Sequence, residues 1–228
     1  RSVVCDAAPD TTLFDFLRSH GCKSVKCGCE TTNCGLCTVW VDEKPVLSCA
    51  VPVARVEGRC VTTLEGLQAE SAALARCMAE EGAEQCGFCS PGLIMNALSL
   101  ARAAHEDPSL VATREDLSRN LSGNLCRCTG YESQLRAIVR FLNESGVQVG
   151  FEMPELPVND TSCDGVSYKQ ITHKQPKKDS KALLEGRPVY TGDLVPAGAL
   201  IVKLKRSPYA RAKIRSIDTS RALKVPGV

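Results

Sequence analysis

Cys29, Cys34 and Cys37 stand in a C-x4-C-x2-C run, and Cys49 follows further along the chain. Thiolates are soft ligands suited to iron and zinc, and this spacing is that of a plant-type [2Fe–2S] site. Such a loop wraps its metal with amide N–H groups turned toward the sulfurs, and Gly28 and Gly35 let the backbone come that close. A zinc knuckle and a set of four small buried hydrophobes are the rival readings. A second set is Cys86-x2-Cys89 with Cys126-x-Cys128. Ser90-Pro91 reads as a helix cap followed by proline at the first helical position, which puts these thiolates near a positive helix end. Spacing alone leaves the second set balanced between zinc and a [2Fe–2S] cluster.

The elements around the first set read as a small α+β unit over residues 1–67. Residues 11–18 form a short helix capped by Thr11 or Thr12, with Leu13, Phe14 and Leu17 inward. Residues 38–41 form a strand, Asp42-Glu43-Lys44 a turn and residues 46–48 a return strand carrying Cys49 beyond it. From residue 68 to 146 the period becomes helical. Residues 72–81 favour helix, and Leu93, Ile94, Ala97, Leu98 and Ala101 trace one apolar stripe. Thr113 and Asp116 resemble a capping box before Leu117 and Leu121. Leu135, Ile138, Val139 and Leu142 line a last helix that Gly146 closes. Residues 147–182 read as a linker, and 183–228 as a partial α/β tail with strands at 200–204 and 212–217.

Composition sets the remaining bounds. Hydrophobic residues are 43% and charged residues 24%, the balance of a folded globular chain. No run approaches the length of a membrane span, and Arg1 to Cys5 has no secretory h-region. The expected location is therefore the cytoplasm, where clustered cysteines mean metal more often than disulfides. The net charge of +2 hides a split: residues 1–162 carry 14 Lys and Arg against 21 Asp and Glu, and residues 163–228 carry 14 against 5. The basic run from Lys174 to Lys181 has no interleaved aromatics, so it reads as solvated linker rather than a nucleic-acid site. Cys5, Cys22, Cys27, Cys60, Cys77 and Cys163 read as bystanders, with Cys27 able to substitute for a ligand. His20, His105 and His173 read as surface residues, and Trp40 as core of the hairpin.

Gln85-Cys86-Gly87-Phe88-Cys89-Ser90-Pro91-Gly92, with Gly123-Asn124-Leu125-Cys126-Arg127-Cys128-Thr129-Gly130-Tyr131, resembles the second iron–sulfur domain of the molybdenum hydroxylases, the xanthine dehydrogenase/aldehyde oxidase family. Ser24 to Cys29 and Cys34 to Val39, with Cys49 and Thr62 to Leu67, resemble that family's ferredoxin-like first domain. The stretch from Gly186 to Asp193, Arg206 to Ala212, Ile217-Asp218 and Pro226-Gly227-Val228 resemble the opening of its molybdenum-binding portion. The chain departs from the family at Thr32, where glycine is usual, and at Thr31, where glutamate is frequent.

The resemblance implies a ferredoxin-like (β-grasp) [2Fe–2S] domain, a four-helix [2Fe–2S] domain, a linker and the start of a hammerhead domain. It implies two [2Fe–2S] clusters, on Cys29, Cys34, Cys37 and Cys49 and on Cys86, Cys89, Cys126 and Cys128. It places Gln85 and Cys128 against a molybdopterin bound mainly by a partner subunit or the remaining polypeptide. FAD would sit outside this chain, since only about 35 residues separate the helical domain from the tail. The chain starts late and ends early relative to the family, as a fragment or split subunit of a hetero-oligomer would. The implied function is electron relay in an oxidoreductase that hydroxylates an aldehyde or N-heterocycle, with a lean toward purines; substrate chemistry lies outside these residues. A freestanding ferredoxin-class carrier and a zinc-stabilised interaction module are the alternatives.

Overall fold

The structure, a computed structural model, describes residues 2–154, 162–163, 166–167, 175–187, 190–194 and 196–228. Helix α1, Leu13–Ser19, is capped by Thr12, whose Oγ1 accepts the Asp15 N–H at 3.1 Å. Strand β1, Thr38–Val41, is the centre of an antiparallel sheet ordered β2-β1-β3, with β2 at Lys44–Leu47 and β3 at Val61–Thr62. The β1–β2 turn is only Asp42-Glu43, at φ 48° and 66°. Both residues are left-handed, as the tightest hairpin requires, so Lys44 opens β2 instead of sitting in the turn.

Strand periodicity divides β1 between two cores. Val39 and Val41 face a smaller core with Leu13, Leu17, Val25, Val53 and Val56. Trp40 points the other way, into a larger core built by the helices. Its Nε1–H donates to the Met95 carbonyl at 2.9 Å, and the Arg102 guanidinium lies 4.4 Å over its ring. Trp40 is thus a staple between the sheet and the helices, a larger role than hairpin core.

The helices are α2 (Gln68–Glu80), α3 (Ser90–Glu106), α4 (Arg114–Leu121) and α5 (Tyr131–Glu144). Helix α2 begins at Gln68, before the expected 72, because a 3-10 turn at Leu64–Gly66 feeds directly into it. Helix α3 is buried on most sides, since β1, α2, α4 and a further helix α6 (Ser180–Leu184) all pack on it. Its expected cap, Ser90, is already helical; Cys89 occupies the N-cap position and makes no side-chain cap bond. The capping box at α4 is formed: Thr113 Oγ1 accepts the Asp116 N–H at 3.1 Å, and the Asp116 carboxylate accepts the Thr113 N–H at 3.2 Å.

The helical core reaches past Gly146, for Val147 is buried and Val149, Phe151 and Met153 pack against it. Much of the stretch expected as linker lies outside the described residues, as does His173; a two-residue ladder pairs Ser162–Cys163 with Val166–Ser167. In α6, Leu183 and Leu184 are buried. Residues 195–228 form a separate unit. The strands expected at 200–204 and 212–217 are not formed there, and Leu200, Ile201, Val202, Leu204, Ile214 and Ile217 are exposed. A strand without a neighbour leaves its ladder N–H and C=O groups unpaired, so two such segments do not hold alone. No helix among the described residues is long and apolar enough to cross a membrane.

Trp40→Phe removes the bond to Met95 and part of the shared core volume while keeping an aromatic ring. The expected loss is about 1–3 kcal/mol, read as a lower urea midpoint with an unchanged m-value; an unchanged midpoint would show that the staple contributes nothing.

Candidate metal centres

The first four cysteines come together as expected. Cys29 and Cys34 are in thiol–thiol hydrogen-bond contact, and the Cys37 and Cys49 sulfurs are 3.3 Å apart. The loop between helix α1 and strand β1 supplies the first three, and the turn after β2 returns Cys49 beside Cys37. Backbone N–H groups of Asn33 and Thr31 reach the Cys29 sulfur and lower its pKa to about 6. Burial pushes Cys34 up against the N–H groups of Leu36 and Gly28. Burial, then the neighbouring Cys37, raises Cys49 to about 12. A metal cation reverses such a burial penalty, because a coordinated thiol is deprotonated outright.

The second four also converge. Cys86, Cys89, Cys126 and Cys128 line one small cavity with Glu84, Gln85, Ser90 and Gln134. Here the contacts pair Cys89 with Cys126 and Cys86 with Cys128. The Cys89 thiol is raised to about 12 by burial and then by Cys126. Cys126 is equally subject to burial, yet N–H donors from Gly130, Cys128 and Thr129 and the Cys89 contact leave it lowered. Gln134 Nε2 donates to the Cys89 sulfur at 3.6 Å, and the Tyr131 hydroxyl accepts the Cys126 N–H at 2.8 Å.

Both sites suit an anionic, sulfur-rich group. Their amide donors are aimed at sulfur, and in the second cavity the buried Ser90 hydroxyl has no hydrogen-bond partner on the protein. The Glu84 Oε2 beside it is also unpartnered, while Ser180 donates to Glu84 Oε1. Among the described residues no group of three or more His, Cys, Asp or Glu is disposed to hold a single metal ion. The bystanders keep away: Cys5, Cys27 and Cys60 are exposed and Cys77 is buried at Glu144. Cys163 is described only as backbone. His105 is exposed and the His20 ring lies 4.2 Å from that of Phe16. Gln85 is exposed at the cavity edge with Cys128 half-buried, and Lys177 donates to the Gln85 carbonyl.

The two sites share a wall. The Leu125 N–H donates to the Cys34 carbonyl at 2.9 Å, and Asn124 Nδ2 donates to the Gly35 carbonyl at 3.2 Å. A Cβ on Gly35 would sit 2.2 Å from the Gly123 carbonyl oxygen, so only glycine fits. Sequence reasoning picked out Gly35 for its own loop; that its smallness serves the other loop was not legible. It also missed Gln134, Tyr190 and the ion pair of Lys26 with Asp193, which joins residues 167 apart. Lys26 falls inside the quoted Ser24 to Cys29 stretch, but a charge partner that distant leaves no local signal.

With this geometry in hand, comparison with known proteins is direct. Residues 63–139 match the family of [2Fe-2S] binding domains. The xanthine dehydrogenase iron-sulfur-binding subunit of Escherichia coli O157:H7 is 41% identical over 136 residues, covering 58% of this chain and 83% of that subunit. The aldehyde oxidoreductase of Megalodesulfovibrio gigas is 34% identical over 227 residues, covering 96% of this chain. The solved aldehyde oxidoreductase from Desulfovibrio gigas superposes with a TM-score of 0.73 at 33% identity, over 98% of this chain. The chain spans only 24% of the length of these aldehyde oxidoreductases. It belongs to the molybdenum hydroxylase family, as an iron–sulfur component of an oxidoreductase, and its fold is of the mixed helix-and-sheet class.

Thr32, in the Cys29–Cys34 loop, has φ 58°. Left-handed backbone disfavours an L-residue by roughly 1–2 kcal/mol, and β-branching adds to the crowding. Thr32→Gly relieves that strain, partly offset by greater freedom of the unfolded chain. The expected net effect is about 1 kcal/mol of added stability; a destabilised variant would mean that the threonine side chain is needed where it stands.

Proposed function

We propose that this chain relays electrons through two [2Fe–2S] clusters, held by Cys29, Cys34, Cys37 and Cys49 and by Cys86, Cys89, Cys126 and Cys128. The observation that carries the reading is the pairing of the thiols. Each set divides into two pairs, Cys29 with Cys34 and Cys37 with Cys49, then Cys89 with Cys126 and Cys86 with Cys128. Two irons of one cluster share four thiolates, two apiece, whereas a structural zinc gathers all four about one centre. The first set fits a ferredoxin-like, β-grasp domain and the second a four-helix domain.

When bound, such a cluster supplies one-electron storage at a potential set by its surroundings. The chain supplies those surroundings. Amides of Thr31, Asn33, Leu36 and Gly28 face the first set, and Gly130, Thr129 and Cys128 face the second. These donors hold negative charge on sulfur without moving, and burial of Cys34, Cys37 and Cys126 keeps water out. Covalent bonds and one hydrogen bond, Leu125 N–H to the Cys34 carbonyl, join the two sets.

The family supports the wider assignment. Gln85 and Cys128 form the contact with a molybdopterin held mainly by a partner subunit or by further polypeptide, so electrons enter at the helical site and leave from the first. An FAD-bearing polypeptide is a candidate acceptor, and the assembly is a cytoplasmic hetero-oligomer with no nucleic-acid partner. The substrate is an aldehyde or an N-heterocycle of the xanthine kind, and its oxidation takes place outside these residues.

Anaerobic titration of the holoprotein with dithionite, followed by low-temperature EPR, tests the relay. Two distinct S = 1/2 signals are expected, with Cys89→Ala abolishing one and Cys34→Ala the other. Zinc in the metal analysis with no EPR signal would leave a structural module and end the redox reading.

A further inference from the structure

We propose that Lys26, Asp193 and Arg18 form a buried charge hub that clamps the two cysteine-bearing loops together and tunes how readily the groups they hold are reduced. This rests on the reading that both cysteine sets carry redox-active clusters.

The geometry is specific. Lys26 is 2% exposed, and its Nζ donates to Asp193 Oδ2 at 2.8 Å. The Asp193 side chain is 4% exposed and accepts from both Nη1 and Nη2 of Arg18 at 3.1 Å. Arg18 Nη1 also donates to the Val25 carbonyl at 3.2 Å, which fixes the approach to Lys26. The Lys26 backbone belongs to the first loop: its N–H donates to the carbonyl of Leu36, between Cys34 and Cys37, at 3.3 Å.

The other side of the hub belongs to the second loop. Lys26 Nζ lies 4.7 Å from the centre of the Tyr190 ring and 5.9 Å from that of Phe88, the residue between Cys86 and Cys89. Tyr190 stands edge-on to Phe88, with ring centres 5.1 Å apart, and its hydroxyl donates to the Cys86 carbonyl at 2.7 Å. A further carboxylate, Glu65, acts on Lys26 and is itself held by the Ser24 N–H at 2.8 Å and hydroxyl at 2.6 Å.

An apolar cluster of similar volume would pin these segments together as well as an ion pair does. What charge adds is a field. In a low-dielectric interior a unit charge acts well beyond its hydrogen-bond partner. Reduction places one more negative charge on the group being reduced. A cation nearby therefore eases reduction and an anion opposes it. Lys26 and Asp193 sit at one point with opposite signs, so removing either charge moves the potential in opposite directions. A purely mechanical clamp gives no such antisymmetry.

The test is an EPR-monitored redox titration of the holoprotein, with iron and sulfide content measured for each sample. Lys26→Gln should make reduction at both sites about tenfold less favourable, about 59 mV lower for one electron, and Asp193→Asn should raise both potentials by a similar amount. Arg18→Gln, on the partly exposed rim, should lower them by less; it supplies the sign if Lys26→Gln does not keep its clusters. Lys26→Arg should leave both near the wild-type value. Shifts of the same sign in the Lys26→Gln and Asp193→Asn proteins, or changes below about twofold, would overturn the tuning role while the wild type still carries its clusters. A wild-type protein without iron and sulfide would instead overturn the reading on which the hub rests.

Discussion

Two cysteine-bearing loops meet at a seam that has no room for side chains. A Cβ on Gly92, at the start of α3, would lie 2.4 Å from the Gly35 carbonyl oxygen, and one on Gly35 would strike the Gly123 carbonyl. The backbones therefore touch, and the touch is bonded: Leu125 to Cys34 and Asn124 to Gly35, with Asn96 on α3 holding the Asn124 side-chain oxygen at 2.8 Å. Every other feature follows from keeping that seam closed. Trp40 crosses from the sheet to α3, and α6 packs Leu183 and Leu184 over α2 and α3. Proximity of the two sites is thus built from backbone contact, which is less yielding than side-chain packing.

Within each site a balance of burial against amide donors prevails. Burial alone drives Cys34, Cys49 and Cys89 toward the protonated thiol, while N–H groups draw Cys29 and Cys126 toward the thiolate. Such an arrangement gains most from a cationic metal centre, since the amides are already aimed and the shielding is already in place. Left-handed backbone at Thr32 and Thr129 is part of the same geometry, with φ 58° at each, one in each loop. Strain in a loop that turns its amides inward is the expected companion of a preorganised site.

Legibility in the sequence tracked how local the determining physics was. The Cys29–Cys37 run, the Thr113–Asp116 box and the α3 stripe were readable because spacing along the chain sets them. Ser90 was misplaced by one position, since the serine-proline signal says little about which residue adopts the cap geometry. The Trp40 bond to Met95, the seam at Gly35 and the Lys26–Asp193 pair depend on residues 55, 89 and 167 positions apart. No periodicity encodes them. In residues 195–228 local propensity favoured strands at 200–204 and 212–217, and without neighbouring strands those segments stay extended and unpaired.

The most direct measurement is the stoichiometry of iron, acid-labile sulfide and zinc in the purified holoprotein. Two clusters on one chain require about four irons and about four sulfides per chain, with no zinc. About one or two zinc ions per chain without sulfide would contradict the paired-thiolate account and the relay built on it.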